Sequence, residues 1–331
     1  MKRTVALAVV GGISCALLTA DASGSPRQLR VALVADVVPS DPHDFRNIAY
    51  RGFRRAVKAF GVEGRLVLYN PKAGPIPTIR SLAQEKYDLI IANPLFQTKE
   101  YAAVAARFPE SKFAMSDVPL EVLEHRLKNV QGTIWRVEQP AYLAGYFAAL
   151  MEKRRPGRDV VGSVNGFPYA NQAFVAGYEA GARRADPGIR ILRGYSRDWL
   201  NPVKCKAVAL SQIGKGAGAV FDVAGACGLG ALRAAKEQGI WGIGIDVDQS
   251  FLGPHILTSV LKRYELDSYK TIEALARGRL KTGGNVVWNL RNGAVGLGRI
   301  SPKVPRSFVR QVEKIRKQII AGKIKVPSTL S

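Results

Sequence analysis

Polar side chains follow two apolar runs of the chain, at residues 241–245 and 258–261. They are Asp246, Asp248, Gln249 and Lys262. In an open α/β sheet, polar groups just past the carboxyl ends of strands line the ligand crevice. Two carboxylates, an amide and a cation placed there can hold the hydroxyl groups of a small polar molecule. A lone strand-end carboxylate more often meets only water, but this clustering favours a binding site.

Other motifs for catalysis or cofactors are missing from the sequence. The glycine-rich segment 224–230 lacks the third glycine of a dinucleotide fingerprint, and no P-loop or G-x-S-x-G elbow is present. His43, His125 and His255 have no zinc-binding spacing, and the three cysteines form no C-x-x-C pair. The sequence therefore predicts a protein without a metal or cofactor that is not an enzyme.

The elements that position the polar groups alternate between strands and helices. Strand-like apolar runs and helical periodicities alternate over residues 28–137, with a helix expected at 45–60. The pattern restarts at residue 139 and includes a helix expected at 169–185. Such alternation predicts the α/β class, with parallel sheets covered by helices on both faces. Two successive halves of this kind predict two doubly wound lobes, although no residue-level repeat relates them.

Acids, an amide and aromatic residues recur at the predicted strand ends and helix starts. The polar residues that follow strands are Asp36, Asn93, Asp117 and Asp246, and the aromatic residues near helix starts are Phe45, Phe96 and Trp199. Each aromatic alone is more often part of a core. Together with the acids they indicate a flat ring held between aromatics, with hydroxyls or ring nitrogens bound by carboxylates.

The N-terminus has the pattern of an export signal. Lys2 and Arg3 precede an apolar run that is short for a membrane span, and residues 20–22 form an A-x-A cleavage site. The prediction is a signal peptide over residues 1–22, with a lipid anchor at Cys15 as the alternative. In an exported protein Cys205 and Cys227 can form a disulfide, but sequence alone leaves their pairing open.

The formal charge of +23 arises from 49 basic and 26 acidic residues. A nucleic-acid partner is not predicted, because the basic residues are widely spread and no nucleic-acid motif accompanies them. From residue 301 onward, apolar residues recur every three or four positions among many lysines and arginines, which predicts an amphipathic helix with a basic outer face. Docking on the body is its expected role, and attraction to an anionic membrane or cell-wall surface is the alternative.

Several sequence blocks resemble the basic membrane protein family of ABC-transporter solute receptors, the group of the purine nucleoside receptor lipoproteins. They lie at residues 31–36, 44–56, 87–91, 108–113, 142–146, 176–181, 224–230, 244–254 and 258–263. The resemblance covers the mature chain in order, and the blocks at 244–254 and 258–263 are the most specific.

The resemblance implies a type I periplasmic-binding-protein fold with three crossover strands and a ligand cleft. The implied N-terminal lobe is 27–136, with about 258–283 returning to it, and the C-terminal lobe is 137–257, with about 284–300; a basic helix and tail occupy 301–331. Hinge closure on a small solute and recognition by a membrane permease are implied. The protein is expected to be a monomer at the outer face of the plasma membrane or in the periplasm.

The resemblance also implies roles for individual residues. Asp36, Phe45 and Asp117 would serve the base of a nucleoside, and Trp199 would oppose it. Asp246 and Lys262 would hold the ribose, and Gly225 would let the backbone approach the ligand. The remaining predicted ligand residues are Asn47, Asn93, Phe96 and Asp248.

This sequence departs from the family pattern on the base side of the implied pocket. Pro42 and Arg46 interrupt the first loop, Asn93-Pro-Leu-Phe96 replaces a glycine-rich turn, and Cys227 replaces a common threonine. A purine nucleoside is the preferred ligand, with another ribosyl compound or polar metabolite as the alternative. A ligand sensor that signals to a membrane partner is the alternative function.

Overall fold

The computed structural model describes residues 27–93, 97–157 and 159–330. Its strands are β1 (Arg30–Ala35), β2 (Glu63–Leu68), β3 (Leu89–Ala92), β4 (Lys112–Met115), β5 (Val130–Trp135), β6 (Val160–Asn165), β7 (Arg190–Tyr195), β8 (Ala219–Val223), β9 (Trp241–Asp246), β10 (Ile256–Lys262), β11 (Gly284–Trp288) and β12 (Val295–Leu297). Its α-helices are α1 (Phe45–Phe60), α2 (Ile76–Gln84), α3 (Thr98–Arg107), α4 (Glu138–Glu152), α5 (Gln172–Ala185), α6 (Pro202–Gly214), α7 (Leu229–Glu237), α8 (Tyr264–Ala276) and α9 (Arg306–Ile320). The predicted signal peptide and Cys15 lie outside the described residues.

The strands form two six-stranded sheets, ordered β11-β5-β4-β3-β1-β2 and β12-β10-β9-β8-β6-β7. Neighbouring strands run parallel, except that β12 is antiparallel to β10. Strands β3 and β8 are buried along their whole length, as expected for parallel strands covered on both faces. The predicted α/β class with two doubly wound lobes is therefore confirmed.

The chain crosses between the lobes three times, after β5, after β10 and after β11. The expected return of about 258–283 to the first lobe differs from the observed pairing at both ends. Strand β10 belongs to the second sheet, and β11 pairs with β5 in the first. The returning segment is thus α8 and β11, residues 264–288. The difference arises because an apolar run predicts a strand but does not indicate which of the two sheets the strand joins.

Asp267 of α8 fastens the returning segment to the first lobe. Its carboxylate accepts hydrogen bonds from Ser116 Oγ at 2.9 Å and from Trp288 Nε1 at 2.8 Å. Burial raises the pKa of Asp267 to about 6, although both hydrogen bonds act to lower it. A buried acid therefore ties together the end of β4, helix α8 and the end of β11.

Helix α1 begins and ends where its sequence predicts. The Asp44 carboxylate accepts a hydrogen bond from the Arg46 backbone N–H at 2.7 Å, which satisfies a free donor of the first turn. Gly61 follows the helix in the left-handed conformation and donates its N–H to the Val57 carbonyl at 3.1 Å. Arg46 in the first turn also contacts Asp36, which directly follows β1, so the helix starts at the strand-end edge of the first sheet.

Helices α4 and α5 cross at very short range over the second sheet. A Cβ atom on Gly145 would lie 1.9 Å from the Tyr178 carbonyl oxygen, and one on Gly181 would lie 1.9 Å from that of Tyr142. Only glycine permits this approach of two backbones. Two of the blocks that carry the family resemblance thus build the core of the second lobe.

The amphipathic segment at the C-terminus forms helix α9. Val312, Ile315 and Ile319 are buried in the core of the second lobe, and α9 packs against α4. The predicted helix and its docking on the body are therefore confirmed. Over the described residues, no helix combines the length and apolar character that crossing a membrane requires.

Cys205 of α6 and Cys227 form a disulfide, with their Cα atoms 5.5 Å apart. Both residues are fully buried. Cys227 lies in a 3₁₀ turn, Gly225–Gly228, which follows β8 at the edge where the predicted site lies. The pairing that the sequence left open is thus present, and it fastens this turn to helix α6.

Candidate functional site

Two strand-end carboxylates of the candidate site have an unusual backbone conformation. Asp117 lies two residues beyond β4 with φ of 64°, and Asp246 ends β9 with φ of 63°. The left-handed region is uncommon for residues other than glycine, although Asp and Asn tolerate it. Such conformations concentrate at functional sites.

Lys262 connects these carboxylates, which come from different lobes. Its Nζ donates to Asp117 Oδ1 at 3.0 Å and to Oδ2 at 3.1 Å, and lies 3.6 Å from Asp246 Oδ1. The Tyr264 hydroxyl donates to Asp117 Oδ2 at 3.3 Å. We call Asp117, Asp246, Lys262 and Tyr264 the polar cluster. It lies where β10 leaves the second lobe and α8 enters the first.

The pKa values of Lys262 and Tyr264 in the polar cluster are both raised. Burial alone would lower the pKa of Lys262, but the charges of Asp117 and then Asp246 outweigh it and raise that pKa. Burial, with a smaller effect of Asp117, raises the pKa of Tyr264 well above its usual range. Lys262 therefore stays a cation and Tyr264 a neutral hydroxyl at neutral pH.

Asp246 keeps an unused acceptor in this cluster. Its Oδ1 is buried and has no hydrogen-bond partner among the described residues, since Lys262 Nζ lies beyond hydrogen-bonding distance. Burial raises the pKa of Asp246, and Lys262 opposes this shift. A buried acceptor that lacks a donor is costly unless a ligand supplies one. A sugar hydroxyl is a donor of the right kind.

A cavity of about 460 Å³ adjoins the polar cluster. The ring of Phe45 lies 5.2 Å from that of Tyr264, and both residues line the cavity. Asp36, Asn93 and Ser116 also line it. Tyr264 thus connects an aromatic wall to the acids and the lysine. A cavity of this size with a few polar groups suits a small organic molecule.

Asp36 is engaged by a residue that departs from the family pattern. Its Oδ2 accepts from Arg46 Nη1 at 3.0 Å, and Arg46 Nε donates to Asp44 at 2.9 Å. The carboxylate of Asp44, despite some opposing burial, is the main cause that raises the pKa of Arg46 above its already high value. This wall of the cavity therefore presents N–H donors as well as carboxylate acceptors.

Trp199 and Gly225 lie together on the second lobe. The Trp199 ring packs 5.4 Å from that of Phe167. Gly225 has φ of 59°, and a Cβ added there would meet the Trp199 backbone oxygen at 3.5 Å. Neither residue is among the described residues that line the first-lobe cavity. They form a separate aromatic wall.

The two lobes also touch through a pair of rings. His43, in the loop before α1, stacks on Phe251, which follows β9, with ring centroids 3.8 Å apart and planes at 23°. Phe251 is otherwise half exposed. The contact joins a first-lobe loop to a second-lobe turn beyond the strand ends.

Some predicted ligand residues instead hold local structure. Asn47 donates to the Pro39 carbonyl at 2.7 Å. Asp248 accepts from the backbone N–H groups of Ser250 at 3.1 Å and Arg299 at 3.2 Å. Gln249 is buried, and its side chain accepts from Ile245 N–H at 3.2 Å. Phe96 lies outside the described residues.

The structure adds Tyr264, Arg46 and Ser116 to the candidate site, all of which line the cavity. The sequence carries a signal for Tyr264, because an aromatic residue starts the helix directly after the block 258–263 that contains Lys262. The signal for Arg46 was its departure from the family loop. Among the described residues no group of three His, Cys, Asp or Glu side chains is arranged to hold a metal ion.

The chain has two α/β lobes joined by three crossings, with a cavity and a polar cluster at the crossing. This arrangement defines a solute-binding protein of the periplasmic-binding-protein fold. A family model described as Bmp, ABC transporter substrate-binding protein PnrA-like, matches residues 30–329. The chain belongs to this family, which confirms the resemblance predicted from the sequence.

Relatives of similar length support the family assignment. Basic membrane protein B of Borrelia garinii subsp. bavariensis is 30% identical over 92% of this chain and 89% of its own length. The ABC transporter nucleoside-binding protein BmpA of Lactococcus lactis subsp. cremoris is 27% identical over 99% of both chains. A crystal structure of an ABC transporter solute-binding protein from Aeropyrum pernix K1 has a TM-score of 0.76 at 23% identity, over 92% of this chain and 94% of that one. This last similarity shows the fold.

Proposed function

We propose that this chain is the exported solute-binding component of an ABC importer and that it binds a nucleoside between its lobes. The observation that carries the proposal is the polar cluster beside an aromatic cavity, at the point where the chain crosses between lobes. A nucleoside combines a polar sugar with a flat ring. The relative from Lactococcus lactis is named for nucleoside binding, which agrees with this chemistry.

Asp246 and Lys262 bind the ribose in this proposal. Asp246 Oδ1 accepts a hydrogen bond from a ribose hydroxyl, while Lys262 donates to a sugar oxygen with the N–H that its carboxylate partners leave free. Asp117 shares Lys262 and therefore belongs to the sugar side, although the family resemblance had implied the base side. Each charged hydrogen bond contributes about 1.5–3 kcal/mol when well formed.

The nucleobase stacks between Phe45 of the first lobe and Trp199 of the second. Its polar edge meets the Asp36–Arg46 pair, which offers an acceptor and a donor side by side. Asn93 and the 3₁₀ turn at Gly225 complete the walls. Asn47 and Asp248 act by holding the loops that carry these groups.

Ligand binding closes the lobes about the three crossings, and the closed form is recognised by the permease. Trp135 and Trp288 flank two crossings, with rings 6.1 Å apart, and Trp135 lies 5.4 Å from the ring of Tyr264. This aromatic group lies at the expected hinge. The protein acts outside the cytoplasm as a monomer, binds without turnover and uses no cofactor.

A thermal-shift screen of the purified protein against nucleosides, free bases, sugars and amino acids tests the proposal. A ligand at a hundred times its dissociation constant adds about 2.7 kcal/mol to the free energy of unfolding. We expect a shift with at least one nucleoside and none with the matching free base at equal concentration. A shift confined to sugars or amino acids would refute the nucleoside ligand, and product formation during incubation would refute binding without turnover.

A further inference from the structure

A stripe of basic side chains runs along the C-terminal helix. It consists of Lys303, Arg306, Arg310, Lys314 and Lys317, which recur every three or four residues and are all exposed. At 3.6 residues per turn, the four that lie on the helix fall within an arc of about 80°. The buried residues Val312, Ile315 and Ile319 occupy the opposite side. We call these five residues the basic stripe.

The basic stripe carries charge that the protein itself does not neutralise. None of its members forms an ion pair within the described part of the chain. The single acid after residue 301, Glu313, pairs with Arg316 at 3.0 Å, and Arg316 is not part of the stripe. Lys323 and Lys325 continue the charge beyond the helix, and both are exposed.

The shape of the stripe determines what kind of surface it fits. Arg306 and Lys317 are eleven positions apart, or about 17 Å along a straight helix. All five residues of the stripe are exposed, and none of them lines the cavity beside the polar cluster. The stripe therefore suits a broad anionic plane better than a small anion or a single strand, which basic grooves with stacking aromatic residues bind.

The apolar side of α9 is already used within the protein. Since Val312, Ile315 and Ile319 fill the core of the second lobe, the helix cannot insert an apolar face between lipid chains. Contact of α9 with a bilayer would therefore be electrostatic. This predicts strong dependence on anionic lipid and on salt, because surface potentials fall off within a Debye length.

We propose that the basic stripe docks the second lobe on the anionic phospholipid head groups of the membrane that contains the transporter. Each lysine or arginine near such a surface strengthens binding by about fivefold. Docking would keep the chain within the layer where it exchanges solute with its membrane partner. It would leave the strand-end cleft, which belongs to other elements, free to close.

Vesicle co-sedimentation of the full chain tests the proposal. The vesicles contain either phosphatidylcholine alone or equal parts of phosphatidylcholine and phosphatidylglycerol. The variant Arg310→Gln/Lys314→Gln/Lys317→Gln should lose affinity for the anionic vesicles on the order of a hundredfold. A matched control, Arg51→Gln/Arg54→Gln/Lys58→Gln, removes the same charge from the exposed side of α1 and should change affinity by less than about fivefold.

Both variants keep the same N-terminus as the wild type, so any membrane affinity of that segment cancels in the comparison. Unchanged thermal midpoints show that these exposed substitutions preserve the fold. Equal losses in the two variants would mean that net charge alone governs binding, and would overturn the proposal. So would a loss in the stripe variant that is as large on neutral vesicles as on anionic ones, or wild-type binding to an oligonucleotide but not to anionic vesicles.

Discussion

Asp246→Asn separates the charge of a cleft carboxylate from its shape. Asparagine tolerates the left-handed backbone that position 246 requires, whereas alanine there would add roughly 1–2 kcal/mol of strain. The amide keeps one oxygen acceptor but removes the negative charge 3.6 Å from Lys262. The substitution therefore tests electrostatics without disturbing the turn after β9.

Asp246→Asn should weaken ligand binding without lowering the stability of the fold. Replacing a charged hydrogen bond to a ribose hydroxyl, worth about 1.5–3 kcal/mol, by a neutral one, worth about 0.5–1.5 kcal/mol, costs about 1–1.5 kcal/mol of binding, or about 5- to 13-fold in the dissociation constant. The raised pKa of Asp246 means that its ionised form is less favourable in the folded protein than in the unfolded chain. Removing that charge near neutral pH should therefore leave the free energy of unfolding unchanged or raise it.

Calorimetric titration with the nucleoside found by the screen, together with urea unfolding, measures both effects. Asp248→Asn is the matched control, since the Asp248 carboxylate accepts two backbone N–H bonds and faces no ligand in the proposal. That variant should lose about 0.5–1.5 kcal/mol of stability and keep its affinity. Unchanged affinity in Asp246→Asn, or lower stability than in the control, would refute the reasoning about position 246.

Trp199→Ala should weaken nucleoside binding by about 1–3 kcal/mol through lost stacking, as measured by titration. Trp199→Phe should keep most of the binding free energy. An unfolded Trp199→Ala would instead show that the ring is part of the core. Cys205→Ser/Cys227→Ser should lower the free energy of unfolding by about 3 kcal/mol for a sequence separation of 22, measured with urea, and a loss below about 1 kcal/mol would contradict this estimate. Burial raises the pKa of Asp222 to about 7, so the folded state holds its proton and stability falls as pH rises from about 4 through about 7. Asp222→Asn should flatten that fall in thermal midpoints between acidic and alkaline pH, and an unchanged slope would contradict it.

The lobes and their elements could be predicted because the spacing of apolar residues in a segment depends on the secondary structure and burial of that segment alone. Helix α1 begins at Phe45 and ends at Phe60 as predicted, since a capping acid and a glycine mark its ends. Helix α5 begins at Gln172, although periodicity suggested Tyr169, because Asn171 takes the left-handed conformation and interrupts the pattern. Local chemistry thus predicts elements well and their first turns less well.

Contacts between distant residues could not be predicted from the residues themselves. The Asp117–Lys262 pair spans 145 residues, and neither segment carries a sequence signal that identifies the other as its partner. The Asp36–Arg46 pair joins a strand end to a helix start, and the loop between them decides whether they meet. Asp248 and Gln249 were expected beside Asp246 on spacing alone, yet a tight turn redirects them into backbone hydrogen bonds.

The interleaved connectivity of the lobes has a consequence for how the chain folds. The first sheet is complete only when β11 pairs with β5, and α8 must pack on α1, so residues 264–288 are needed by a lobe that begins at residue 30. A chain halted after β10 could finish neither its first lobe nor, without β12, its second. Such long-range pairing slows folding. We therefore expect folding to await nearly the entire chain, so neither lobe should form a stable fragment when expressed alone.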